Sequence, residues 1–229
     1  MLWAQRRRDW RAPMGDASIS CRILVFAKAP VAGRVKSRLV PALGEAGAAQ
    51  LQRHLIERTL DTALTANLGV VELWCAPDPD EPFFAACATR PGLCLRAQGD
   101  GDLGVRMSRA LATGAPGLLI GSDCPAFSPG YLREAARALD EGSDAVFGPA
   151  EDGGYVLIGL AHSPPAQLFE GIAWGTPSVM RETRARLVRL GWRWRELATL
   201  WDVDRPEDLP RMRQLCGELA FRSSAADPS

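Results

Sequence analysis

The chain has 229 residues, 47% of them apolar and 24% charged, a length and balance that suit one globular α/β domain with a sizeable core. Its 27 Lys and Arg are matched by 27 Asp and Glu, and this lack of a basic excess argues against nucleic acid as a general partner. No apolar run approaches the ~20 residues of a membrane span, and six cysteines without C-x-x-C or zinc-finger spacing read as reduced thiols, so a cytoplasmic location is expected.

Residues 1–20 are Arg-rich and patternless. They lack the apolar segment of a secretory signal and are expected to be a disordered extension, with Met14 as an alternative start. One domain is expected over 21–217, with a flexible tail over 218–229. Arg22–Ala27 is a short, mostly apolar run that fits a strand buried on both faces. A loop over Lys28–Gly44, broken by Pro30, Gly33, Pro41 and Gly44, leads to a helix from about Glu45 to Ala66, with Leu51, Leu55 and Thr59 on one stripe and Leu60 and Leu64 beside it. Val70–Cys75 is a second strand, Pro82–Ala88 a short helix and Leu93–Ala97 a third strand. Asp102–Ala112 reads as a helix opened by an acid. Gly117–Gly121 is strand four, ending at Ser122–Asp123. Ser128 caps the next helix, with Pro129 at its first position, to about Leu139.

Two further strands, Asp144–Phe147 and Tyr155–Leu160, are joined by the loop GPAEDGG. Thr176 is expected to cap a helix starting at Pro177 and ending near Gly191. Trp192–Leu197 alternates as a strand does, and a last helix starts around Pro206 and runs to Leu215. Strands alternating with helices imply a mixed, mostly parallel sheet covered on both faces. Ligands bind such sheets beyond the carboxyl ends of the strands, so the loops after strands one, three and four should share one crevice.

The first of these loops carries Lys28, Arg34, Lys36 and Arg38. Cations beside a strand end suit phosphate groups, although neither a Walker A nor a dinucleotide fingerprint is present and a solvated basic loop is the plain alternative. Asp123 sits at the end of strand four, where a hard cation would take one or two carboxylates plus substrate phosphates; a turn Asp is equally consistent. Asp202 and Asp204 lie two apart and share a face in an extended segment, unless Asp204 simply caps the following helix. Glu151 and Asp152, with Gly153 and Gly154, form a loop that suits a second substrate, the metal or a plain hairpin turn. The Gln98 amide offers a donor and an acceptor to a base edge. Trp174 stacks on a ring or packs. With only His54 and His162 in the chain, a Ser-His-Asp triad or histidine-rich metal site is not expected. Carboxylates, a metal and Lys/Arg are the toolkit of phosphoryl, nucleotidyl and nucleotide-sugar transfer. Cys124 has no nearby His to make it a nucleophile.

Taken together, FAKAPVAGRVKSRL, GSDCPAFSPGYL, GPAEDGGYVLIGL, WGTPSVMRET and LWDVDRPEDL resemble one bacterial family of GT-A-fold (nucleotide-diphospho-sugar transferase) proteins. Its members are often found beside radical-SAM proteins, are usually labelled glycosyltransferases, and are in some cases tied to arsenosugar synthesis. The wider superfamily includes nucleotidyltransferases such as 2-phospho-L-lactate guanylyltransferase. The resemblance spans about Cys21 to Cys216. It implies phosphate binding by Lys28, Arg34, Lys36 and Arg38, metal binding by Asp123 and Asp204, and base reading by Gln98 and Gly99; Asp202 joins the metal candidates through its spacing from Asp204. The glycine-rich loop of the nucleotidyltransferases is reduced here to Gly33, and the Asp-x-Asp of many glycosyltransferases to Ser122-Asp123-Cys124.

The reading that follows is metal-dependent transfer from a nucleotide or nucleotide-sugar donor to a small-molecule acceptor. Mg²⁺ or Mn²⁺ is expected to bridge the donor phosphates to Asp123 and Asp204, with Lys36 neutralising the leaving diphosphate. The acceptor is expected on the side of Gly153, Gly154, Tyr155 and Trp174, with Glu151 or Asp152 as general base. Glycosyl transfer is the first variant and nucleotidyl transfer, which releases pyrophosphate, the second; a nucleotide-binding protein without catalysis is the third.

Overall fold

The computed structural model describes residues 20–216. The expected extension over 1–20, apart from Ser20, and the tail over 218–229 lie outside the described residues. Strands β1 (Arg22–Lys28), β2 (Val71–Ala76), β3 (Leu93–Ala97) and β4 (Gly117–Gly121) run parallel in the order β3-β2-β1-β4. Beyond β4 lie β6 (Tyr155–Leu160), antiparallel to it, then β5 (Ala145–Pro149) and β7 (Trp194–Glu196). The result is one seven-stranded, mostly parallel sheet.

Alternation along β1 divides the core. Ile23, Val25 and Ala27 face one layer, built on Leu60 and Ala63 of α1 (Val40–Ala66), Phe84 of α2 (Pro82–Cys87) and Leu132 and Ala135 of α4 (Pro129–Asp140). Leu24 and Phe26 face the other, with Met107 and Leu111 of α3 (Leu103–Ala112) and Met180 and Leu187 of α5 (Val179–Leu190). A strand covered on both faces carries a continuous apolar run, as RILVFA does. A third cluster joins Leu39, Leu51 and Leu55 to Trp201, Val203 and Met212, fastening the segment before α6 (Leu209–Cys216) to α1. Among the described residues no helix is long and apolar enough to cross a membrane.

Most boundaries follow local chemistry. The Asp102 carboxylate accepts from the Val105 amide at 2.8 Å and caps α3; Ser128 accepts from Tyr131 at 3.2 Å and caps α4. Five expectations are corrected. A 3₁₀ turn over Ser37–Leu39 leads into α1, which starts at Val40 rather than Glu45, Gly44 (φ +70°) marking a kink instead of a boundary. Thr176 does not cap α5: its hydroxyl donates to the Ala173 carbonyl, and Ser178 occupies the cap position and donates to Glu182 at 2.5 Å. Gly148 and Pro149 belong to β5 through an irregular register against β6, and β7 is only three residues long. Asp204 is not a helix cap: Arg205 holds that position before a 3₁₀ turn at Pro206–Asp208, and the Asp208 carboxylate takes the amides of Asp204 and Arg205.

Candidate nucleotide-binding site

At the carboxyl ends of β1 to β4 the loops enclose an open crevice of about 1250 Å³. Lys28, Arg34, Lys36 and Arg38 line it from the first loop, Gln98 and Gly99 from the third, Asp123 from the fourth, and Asp202 and Asp204 from the C-terminal segment. The loop after β2 joins them through Ala76 and Pro77.

Lys36 is the hinge of the arrangement. Its backbone takes a left-handed conformation (φ +49°), uncommon for a side chain of this size. The side chain, only 3% exposed, donates to the Val203 carbonyl at 2.7 Å and pairs with Asp123 Oδ1 at 3.0 Å. A buried ammonium requires such partners. Asp123 is half exposed, and its own carbonyl accepts from the Val203 amide at 2.9 Å. The loop after β4 and the C-terminal segment are thereby tied to each other and to the first loop. Beneath them the buried Gln52 amide donates to Ser122 Oγ at 3.2 Å. Arg38 pairs with Asp204 at the rim.

Asp202 is the crowded member. Burial raises its carboxyl to about 7, and the nearby Asp123, Asp152 and Asp204 add to the effect while Lys36 opposes it. Among the described residues no three donor side chains converge into a ready-made metal cluster. The donor set fits a hard ion of the Mg²⁺ or Mn²⁺ kind that takes only one or two carboxylates and completes its shell with phosphate and water. A carboxyl whose proton affinity is raised by burial and by acidic neighbours, as that of Asp202 is, is relieved by such a charge.

Gln98 lines the crevice but is largely spent on the protein. Its amide nitrogen donates to the Ala27 and Trp74 carbonyls at 3.1 and 2.8 Å, and Arg106 donates to its Oε1 at 3.1 Å. The expected donor for a base edge is thus occupied, and one lone pair of Oε1 is left. Gly99 (φ +71°) leaves room for Arg109, whose Nη1 would stand 2.6 Å from a Cβ there and which donates to the Gln98 carbonyl.

A smaller cavity of about 210 Å³ adjoins the crevice, lined by Asp152, Gly154, Tyr155 and Trp174 among others. Tyr155 meets Phe147 and Trp174 edge-on, with centroids at 5.3 and 6.4 Å, and the Trp174 ring packs on Gly104, where a Cβ would clash at 2.8 Å. Trp174 therefore packs and also lines this cavity. The structure separates Glu151 from the rest: it pairs with Arg211 at 2.9 Å and lines neither cavity. Gly153 (φ +90°) lies against the Pro177 backbone and lines neither cavity. Arg106, Gln52, Ser122 and Gly121 belong to the crevice and were not singled out from sequence. Gln52 left a signal, an amide among the apolar positions of α1; the others left none. Cys124 is buried, which pushes its thiol up to about 12 and leaves it protonated and inert.

A family model described as "Uncharacterized protein conserved in bacteria (DUF2064)" matches residues 59–176. No curated protein matches the chain. Among solved structures, one from Desulfovibrio desulfuricans G20, provisionally named a nucleotide-diphospho-sugar transferase, is 33% identical over 90% of this chain and 92% of that one, with a TM-score of 0.77. A nucleotidyl transferase from Methanothermobacter is 16% identical over 85% and 96% of the two chains, with a TM-score of 0.54. A CMP:2-keto-3-deoxy-manno-octonic acid synthetase complexed with CTP is 13% identical over 87% and 99%, with a TM-score of 0.53. The first likeness extends to sequence; the other two establish the shared fold, that of nucleotide-diphospho-sugar transferases.

Proposed function

The chain belongs to the DUF2064 family of bacterial proteins, and from that membership and the crevice we propose a metal-dependent transferase that draws on a nucleotide-activated donor, acting as a glycosyltransferase on a small-molecule acceptor. The observation that carries this reading is the crevice itself, in which the buried Lys36 ammonium meets Asp123 while Lys28, Arg34 and Arg38 line the same walls. The name of the Desulfovibrio relative supports it, as does the resemblance to glycosyltransferases found beside radical-SAM proteins and tied to arsenosugar synthesis.

In this proposal the first-loop cations bind the donor phosphates, and Lys36 neutralises charge growing on the leaving diphosphate. Asp123 and Asp204, with Asp202 beside them, hold the divalent ion. Bound there, that ion would neutralise charge on the departing diphosphate. Gly99 and the free lone pair of Gln98 Oε1 meet the base. The acceptor oxygen forms a bond to the anomeric carbon, the bond from that carbon to the diphosphate oxygen breaks, and the nucleoside diphosphate departs with the electron pair. The acceptor proton goes to Asp152, which lines the smaller cavity where Glu151 does not.

A second reading, nucleotidyl transfer, is favoured by the cationic first loop, in which Lys28 and Arg34 line the crevice beside the paired Lys36 and Arg38. The two differ in products: glycosyl transfer releases a nucleoside diphosphate and nucleotidyl transfer releases pyrophosphate. Thermal unfolding with nucleotide-sugars and nucleoside triphosphates, with and without Mn²⁺, tests both. Ligand at 100 times its Kd stabilises by about 2.7 kcal/mol, a rise of about 5–10 °C for a chain of this size. A Mn²⁺-dependent rise with a nucleotide-sugar supports glycosyl transfer, and one confined to triphosphates moves the assignment to nucleotidyl transfer. A folded protein that responds to neither refutes the transferase reading.

A further inference from the structure

We propose that the 210 Å³ cavity beside the crevice is the acceptor subsite, and that it takes an uncharged alcohol with a compact apolar body while rejecting phosphorylated or carboxylated acceptors. The inference deepens the transferase reading and rests on it for the role of acceptor; the charge selectivity stands on the cavity's own walls.

The body of the cavity is apolar: Met107 of α3, Leu119 of β4, Ile158 of β6, Val179 of α5 and the Trp174 ring enclose it. None of the described residues lining it is a Lys, Arg or His, and its charged groups are Asp152 and Asp202. An anion placed there would lose its hydration among hydrocarbon and face the Asp152 carboxylate, both of which oppose it. Arg186, the cation felt by the enclosed Tyr155 hydroxyl, is engaged by Glu182 at 3.8 Å and by the Glu170 carbonyl at 2.7 Å. The cations that would hold a phosphate, Lys36 and Arg38 among them, line the crevice instead. Charge therefore sorts the two ligands: the anionic donor to one cavity, the uncharged acceptor to the other.

Size and access agree. A volume of 210 Å³ equals about seven waters at ~30 Å³ each, room for a single ring with a short chain. Gly121 lines both cavities, and a Cβ there would meet nothing within 4 Å. The strand end leaves an open passage through which a seated alcohol presents its oxygen to the donor, and Asp202, which also lines both cavities, stands beside it.

Two probes with one body and different heads test this: 4-phenylbutan-1-ol and 4-phenylbutanoate, titrated into the full chain and followed by methyl NMR and calorimetry. The alcohol is expected to move the methyl resonances of Leu119, Ile158 and Val179 and to bind at least about tenfold tighter than the carboxylate, a difference of ~1.4 kcal/mol. Val179→Phe, which narrows the cavity, is expected to weaken the alcohol by at least as much. Should that variant fail to fold, the methyl shifts in the unaltered protein still decide. Equal or tighter binding of the carboxylate, or no shift of those methyls at the solubility limit of the alcohol, overturns the proposal. Nucleotide titrated in parallel separates the failures. Nucleotide binding without alcohol binding overturns the subsite alone. Alcohol binding without nucleotide binding overturns the transferase reading and supports the cavity's charge selectivity.

Discussion

Replacing Lys36 by Met is the sharpest perturbation the crevice offers, because it separates stability from ligand binding. The Lys36 side chain is 3% exposed, and its ammonium donates to the Val203 carbonyl at 2.7 Å and pairs with Asp123 at 3.0 Å. Breaking a fully buried pair costs about 3–5 kcal/mol, but Asp123 is 47% exposed and water re-solvates it once the lysine is gone. The methionine also refills most of the stem's volume without a charge to desolvate. What remains is chiefly one lost charge-assisted hydrogen bond, about 1.5–3 kcal/mol before the relief of desolvation is subtracted. The net loss is therefore about 1–2 kcal/mol, and at ~2–4 °C per kcal/mol the melting temperature falls by about 2–8 °C. On the ligand side, removing a preorganised donor from developing phosphate charge costs about 10²–10³ in rate. Circular dichroism melting gives the first number, and turnover of the donor that stabilises the unaltered protein gives the second. A variant that melts as expected but turns over donor at the unaltered rate would refute the assignment of Lys36 to the phosphates.

The remaining predictions concern the rest of the scaffold. Gly153→Ala places a methyl where φ is +90° and against the Pro177 backbone, so it is expected to lose about 1–3 kcal/mol by thermal or denaturant unfolding; an unchanged midpoint would contradict the packing. Asp202 has a carboxyl raised from 3.8 to about 7, so the folded state binds its proton more tightly than the unfolded chain. Its contribution is favourable while the proton is held and is lost as pH rises from about 4 to about 7. In EDTA, Asp202→Asn is therefore expected to melt higher than the unaltered protein at pH 8, with the gap closing towards pH 4; a gap that widens on acidification would reverse the sign. Cys124→Ala is expected to retain activity, since the thiol is buried and held near 12; inactivity with intact folding would restore a nucleophilic role.

The sheet was legible because its strands announce themselves. GLLIG and LCLRA are apolar or alternating runs with turn residues at both ends, and both strands fall where those runs do. Caps were legible where a side chain points at its own backbone, as with Asp102 and Ser128. They misled where another local bond competed: the Thr176 hydroxyl turned back to the Ala173 carbonyl, and Ser178 took the cap position. The first-loop cations and Asp123 were legible as residue types beyond strand ends, and Asp202 and Asp204 by their spacing of two, and the fold gathers them around one crevice. Their pairing was not legible, because Lys36 with Asp123 and Arg38 with Asp204 are separated by 87 and 166 positions. Nor was the preoccupation of Gln98, whose partners come from β1, β2 and α3. Of the side cavity only Asp152, Gly154, Tyr155 and Trp174 were legible; its apolar walls were not, because β1, α3, β4, β6 and α5 each contribute only one to three residues far apart in the chain. Glu151 and Asp152 are adjacent in the chain, yet only Asp152 faces a cavity.

The account turns on Asp123 serving a metal-assisted nucleotide site. Calorimetric titration of the stabilising nucleotide, with Mn²⁺ and with EDTA, into the unaltered chain and into Asp123→Ala tests that most directly. The account predicts tighter binding with Mn²⁺ in the unaltered chain and loss of that Mn²⁺ dependence in the folded variant. Full retention of metal-dependent binding by Asp123→Ala would contradict it.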